Sequence, residues 1–147
     1  MNLRSIVRLV PALLLAVVAL AASPAAAQEG DRVRFIGGGP TATLSRMVVA
    51  DNTVYLSGVL GTRAGPGIVE QSTLVMETIR TSLAEVGATM DDVVKCLVFM
   101  ADLAERPQFN EVYRSFFPTN KPARSAVGVD LGGARVEVEC IAVLPRA

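Results

Sequence analysis

Between Thr53 and Val143 the apolar residues alternate between strand spacing and helix spacing. That alternation limits the possible folds more than any other feature of the chain. TVYLSGVL (Thr53–Leu60) has the β-branched and aromatic content of a strand. Ser45–Val49 precedes it across Asp51-Asn52, a hairpin turn signal. GTRAGPGI reads as a loop because turn residues crowd it. Within Val69–Val86, residues Val75, Ile79, Leu83 and Val86 make one helical stripe, and Gly87 stands where a helix C-cap belongs. VVKCLVFM (Val93–Met100) has the length and acidic flank of a buried strand. Pro107 suits the first turn of a second helix, with Phe109, Val112, Tyr113 and Phe116 along one face. KPARSAVGVDLGGARVEVECIAV (Lys121–Val143) then reads as two strands around the turn Asp130-Leu131-Gly132-Gly133.

The resulting order, β-β-α-β-α-β-β, predicts an α+β fold: one mixed β-sheet with hairpins at both ends and two helices on one face. The opposite face is left bare, yet Val, Ile and Leu are abundant in these strands. A bare apolar face predicts a homo-oligomer with the sheets packed inside.

The N-terminal part reads as something other than domain. Residues 1–27 carry Arg4 and Arg8, an apolar run, and the small-residue site Ala25-Ala26-Ala27, which together predict a secretory signal peptide cleaved before Gln28. The rival reading, a membrane anchor, is weaker, because the uninterrupted apolar run 12–22 falls short of the roughly 20 residues a bilayer core needs. The localisation expected is therefore export, to a periplasm or the outside, with no stable membrane insertion after cleavage. Residues 28–43, polar and then glycine-rich, are expected to be a flexible entry segment, and residues 44–147 the domain. Cleavage removes two of the fourteen basic residues and leaves twelve against fourteen acidic ones, a net charge of −2. That balance offers no basic stripe for nucleic acid.

The chain has no histidine and only two cysteines. Ser-His-Asp and Cys-His nucleophilic sites are excluded, and so are His-containing or Cys-rich metal sites. Chemistry here must come from carboxylates, arginines, hydroxyls and backbone groups; neither a metal nor a cofactor is expected. Attention then falls on the last two strands. Arg124 opens one, and Glu137 and Glu139 share a face of the next. Charges on an inward side must be paired or used. Read on residue type alone, Arg124 is a surface or ion-pair residue and Glu137 a partner for Arg135.

Five segments in order carry a resemblance: NTVYLSG (Asn52–Gly58), DDVVKCLVFMADL (Asp91–Leu103), FNEVYRSFFP (Phe109–Pro118), KPARSAVGV (Lys121–Val129) and VEVECIAV (Val136–Val143). From Leu44 to the C-terminus the chain resembles the Rid (YjgF) superfamily of reactive intermediate, enamine/imine deaminases. The resemblance implies a chorismate-mutase-like fold and a homotrimer whose sheets form a central barrel, with ligand pockets between subunits. It implies hydrolysis of small enamines and 2-imino acids to 2-keto acids and ammonia. By motif position Arg124 looks like the carboxylate-binding arginine and Glu137 like the carboxylate that positions water. Gly58 and Asn110 look like further substrate-binding positions, and Glu139 has no assigned role. The alternative is a non-catalytic trimer of the same fold that binds small carboxylates or acts as a scaffold.

Three positions depart from the deaminase pattern. Leu44 stands where an aromatic is usual, Ala126 where cysteine is frequent, and Val59 where glutamine is common. In the implied fold the strands bearing Cys96 and Cys140 are neighbours. Two buried free thiols are the expectation, because a cross-strand disulfide is geometrically demanding; a disulfide, favoured by an oxidising compartment, is the alternative.

Overall fold

The computed structural model describes residues 32–145. The predicted signal peptide, residues 1–27, lies outside the described residues.

Seven strands, β1 (Val33–Ile36), β2 (Met47–Ala50), β3 (Thr53–Leu56), β4 (Val59–Leu60), β5 (Val93–Met100), β6 (Ala123–Gly128) and β7 (Val136–Val143), form one mixed sheet. Its order is β1-β2-β3-β7-β5-β6, with β4 continuing the line of β3 alongside β7. Two α-helices, α1 (Ile68–Ala84) and α2 (Arg106–Phe116), complete the fold.

The predicted stripe of α1 is buried: Val75, Ile79 and Leu83 are fully shielded, with Met76 beside them. Gly87 ends this helix region at φ 78°, where L side chains are strained. Its N–H bonds the Ala84 carbonyl, and the Ala88 N–H bonds that of Leu83. In α2, Pro107 lies in the first turn, and Phe109 and Tyr113 are the buried face. Both helices share one core with Met47, Val49, Val54, Cys96, Val98, Met100, Val136, Val138 and Cys140, so they cover the same side of the sheet. The strand alternation shows why. In β7, Val136, Val138, Cys140 and Ala142 are buried, while Glu137, Glu139, Ile141 and Val143 point the other way. That second face has no covering layer among the described residues, and Tyr55, Leu60, Val127 and Val143 stand exposed on it.

The stretch Thr53–Leu60 is two strands, β3 and β4, interrupted at Ser57-Gly58; three further expectations change. The first is the C-terminal hairpin. β6 and β7 are not paired; β5 lies between them, parallel to β6 and antiparallel to β7. Residues 129–135 instead cross the end of β5, held by Val129 N–H to the Met100 carbonyl (3.0 Å) and Ala101 N–H to the Arg135 carbonyl (3.0 Å). The turn residues were correctly read, but a turn signal does not say whether a third strand separates its arms. The second is the entry segment. Val33–Ile36 is a strand paired with β2, with Val33 opposite Ala50 and Ile36 opposite Met47. Its side chains are largely exposed, so it carries little of the hydrophobic patterning that reveals a strand. The third is the cysteine pair. Cys96 and Cys140 are register partners on β5 and β7 and are joined by a disulfide, buried at 0% and 2% exposure. Direct cross-strand opposition brings the two side chains together on one face, which spacing along the chain does not reveal.

Candidate active site

Arg124 is the second residue of β6, an edge strand, and lies opposite Cys96 on β5. It shares the helix-covered face with the core cysteine and projects over α2. Its guanidinium carbon lies 4.6 Å from the Tyr113 ring centre and 5.4 Å from that of Phe109. One amino nitrogen donates to Asn110 Oδ1 at 2.7 Å. These two residues follow from the helix repeat, which puts Phe109 and Tyr113 on one side of α2 with Asn110 next to them. Two rings and an amide therefore hold the cation, compensating its partial loss of water. A guanidinium fixed in this way keeps further N–H groups for a bidentate anion.

The space around it fits that use. A cavity of about 390 Å³ is lined by Asn110, Tyr113, Arg114, Lys121, Pro122 and Arg124. Three of these carry positive charge and none is acidic. Tyr113 is nearly sealed, and its hydroxyl finds no partner in the described chain. Burial pushes its phenol up to about 12, with the Arg124 charge acting in the opposite sense. It stays neutral at ordinary pH, so the ring beneath Arg124 keeps an uncharged hydroxyl.

Glu137 occupies different ground. It pairs with Phe99 on β5 and Leu60 on β4, on the uncovered face. Its carboxylate lies against Gly58 so closely that a Cβ at Gly58 would overlap it. Gly58 thus gains a specific reason for lacking a side chain. Gln71, 2% exposed, braces the approach to β7. Its Oε1 accepts from the Arg135 N–H at 2.8 Å, and its Nε2 donates to the Gly65 carbonyl at 2.7 Å. Arg135 does not pair with Glu137; its Nε donates to Glu105 at 2.7 Å. A second cavity, about 400 Å³, begins at Gly58 and continues past Leu60, Thr62, Arg63 and Thr78.

Of the four residues predicted for the site, Arg124 and Asn110 are in direct contact, and Gly58 and Glu137 are in direct contact. The two pairs sit on opposite faces of the sheet. Within one chain the four residues therefore form two separate pairs rather than one pocket. Glu139 is on the uncovered face, with Tyr55, Lys95, Leu97 and Ser125 around a further hollow of about 420 Å³. Leu44 is exposed at 62% and closes nothing in the single chain. Sequence reasoning placed Phe109 and Tyr113 on one face of the second helix and overlooked their contact with Arg124. It also passed over Arg114 and Lys121; the latter adjoins the PAR motif and was the available signal.

Comparison with known proteins identifies the family. The family described as Endoribonuclease L-PSP matches residues 38–144. Reactive Intermediate Deaminase A, chloroplastic, of Arabidopsis thaliana is 37% identical over 108 residues, covering 68% of this chain and 58% of that protein. The chain thus spans little more than half the length of that relative. The 2-iminobutanoate/2-iminopropanoate deaminase of Capra hircus is 36% identical over 107 residues, covering 67% of this chain and 78% of its own. The crystal structure of a YjgF family member from Neisseria meningitidis superposes with a TM-score of 0.73 at 28% identity, over 78% of this chain and 97% of that one. The chain belongs to the endoribonuclease L-PSP family, which includes the YjgF and Rid proteins.

Proposed function

We propose that this protein is an imine/enamine deaminase that converts small 2-imino acids to 2-keto acids and ammonia. The observation that carries the reading is Arg124, held between two aromatic rings and Asn110 above a cavity lined by cations. In the proposed reaction Arg124 binds the substrate carboxylate through parallel N–H bonds. Glu137 orients a water and accepts its proton as the water oxygen bonds to the imine carbon. The C=N π pair moves to nitrogen, which takes back the proton held by Glu137. The proton of the new hydroxyl then also passes to nitrogen as the carbonyl forms, the carbon–nitrogen bond breaks with its electron pair on nitrogen, and NH3 leaves. Gly58 allows the Glu137 carboxylate its position, and positioning of this kind is worth orders of magnitude in rate.

Because Arg124 and Glu137 lie on opposite faces, the proposal includes assembly. A second copy brings its Glu137–Gly58 half-site to the Arg124 half-site of the first. The uncovered face and the family's fold support a homotrimer with the sheets turned inward. Export is also part of the proposal. It rests on the signal-like residues 1–27, and the Cys96–Cys140 disulfide supports it, because such bonds persist in oxidising compartments. The acidic balance of the mature chain speaks against a nucleic-acid substrate.

The second reading, a trimer that binds carboxylates without turnover, is favoured by the exposed Leu44 in place of an aromatic. One assay separates the two. Imino acids are generated by an amino-acid oxidase and trapped with semicarbazide in the presence of the chain starting at Gln28. Suppression of the semicarbazone, lost in Arg124→Ala and Glu137→Gln, supports the deaminase. A folded oligomer that suppresses no imine would leave the binder.

A further inference from the structure

The cavity at Arg124 carries more positive charge than one carboxylate needs. Arg124, Arg114 and Lys121 all line it, with Asn110, Tyr113 and Pro122 as the neutral wall. Among the described residues, one acid pairs with the three. Arg114 pairs with Glu111 one turn earlier on the outer side of α2. Lys121 donates to the carbonyls of Pro118 (2.8 Å) and Thr119 (3.3 Å), which orient its ammonium group without neutralising it. Arg124 spends one donor on Asn110, also neutral. A 2-imino acid with an uncharged side chain would cancel one charge and leave another without a counterpart.

Lys121 is placed by the chain itself. Pro122 fixes the backbone beside it, and the two carbonyls of the 118–119 turn anchor its ammonium at the cavity wall. A four-carbon stem held at its tip has lost much of its freedom before a ligand arrives, so less entropy is lost on binding.

We propose that the preferred substrates are 2-imino acids bearing a second carboxylate, with Arg124 holding the carboxylate beside the imine and Lys121, assisted by Arg114, holding the distal one. This rests on the deaminase reading above and names its substrate class. The volume of about 390 Å³ accommodates a five-carbon diacid, being within the range of small-molecule sites.

The test uses stable product analogues, so that binding is read apart from turnover. Calorimetric titration of the assembled protein with 2-oxoglutarate and with 2-oxobutanoate compares two oxo acids that differ in the distal carboxylate. The expected result is 2-oxoglutarate binding about tenfold more tightly or better, the scale of one well-placed charge contact. Lys121→Met should weaken 2-oxoglutarate more than 2-oxobutanoate, and Lys121→Arg should recover part of the difference. Added salt should erode the preference. Equal affinities, or a preference unchanged in Lys121→Met, would overturn the diacid proposal and leave the deaminase reading intact. Failure to bind either acid would overturn the diacid proposal, the deaminase reading being decided separately by the semicarbazide assay. In the semicarbazide assay the imine from glutamate should be cleared faster than that from alanine; the reverse order counts against the diacid and in favour of a deaminase with smaller substrates.

Discussion

On the helix-covered face of the sheet, Arg124 lies over the rings of Phe109 and Tyr113 and hydrogen-bonds Asn110. On the uncovered face, Glu137 rests against Gly58, and no side-chain hydrogen bond engages it among the described residues. The first charge is held by its own chain. The second is positioned by steric fit and left open. The difference teaches that one chain can hold a cation rigidly through rings and an amide while leaving a carboxylate on the opposite face without a hydrogen-bonding partner. Charge on a strand here signals neither an error nor a simple surface pair.

The most demanding test of this comparison uses the two halves separately. Arg124→Ala and Glu137→Gln should each lower kcat/KM by about three orders of magnitude, as expected when an electrostatic or general-base contribution is removed. Mixed after unfolding and refolding together, the two inactive variants should regain activity, because some interfaces would then pair an intact Arg124 with an intact Glu137. Absence of recovery in verified mixed oligomers would place both groups in one chain's site and break the comparison.

Next in size is the disulfide, which belongs to the covered face alone. Cys96 and Cys140 enclose a sequence separation of 44 residues. Replacing both with alanine should cost about 2–4 kcal/mol in urea unfolding. The loss should appear as stability, with activity of the folded fraction retained; unchanged stability would mean the bond contributes nothing to the native state.

Gly58→Ala probes the other face. A Cβ there overlaps the Glu137 carboxylate, so Glu137 must move. A displacement of this order should reduce kcat about a hundredfold, with unfolding stability changed far less. Wild-type kcat in Gly58→Ala would mean that Glu137 does not need its present position.

The smallest effects belong to Tyr113. Tyr113→Leu should raise KM about fivefold by removing a ring from beneath the guanidinium, while Tyr113→Phe should keep KM near wild type. The hydroxyl has its own signature in stability. Its pKa is raised to about 12 in the folded chain by burial, from an ordinary value near 10.0. The folded state therefore holds this proton more tightly than the unfolded state. The resulting stability is complete below pH 10 and declines as pH rises toward 12, by up to roughly 2 kcal/mol. The Tyr113→Phe variant should lose that part of the alkaline dependence, as followed by denaturant midpoints across the window.

Much of this was legible in advance because it depends on local repeats. The stripe Val75, Ile79 and Leu83 marks α1 and its buried side without reference to any other segment. The alternation of Val136, Glu137, Val138 and Glu139 says that both glutamates share a face. Motif resemblance singled out Arg124, Asn110, Gly58 and Glu137, and the structure brings them together as two contacting pairs. What escaped notice has non-local causes. β1 is exposed and gains its partner from β2. The helix repeat puts Tyr113 on the buried face of α2; only the third dimension shows that its ring meets Arg124.

By itself, then, the sequence determined the two helices, the buried strands and which way their side chains alternate, since these follow from short-range periodicity and turn chemistry, whereas the exposed strand β1 did not. It also determined that any catalysis here must proceed without histidine, because none exists. Tertiary structure alone decided that β5 separates β6 from β7, that Cys96 meets Cys140, and that Arg124 and Glu137 face apart. Strand neighbours are chosen by packing between residues far apart in the chain. The same alternating pattern is compatible with several sheet orders until the helices cover one face and select among them.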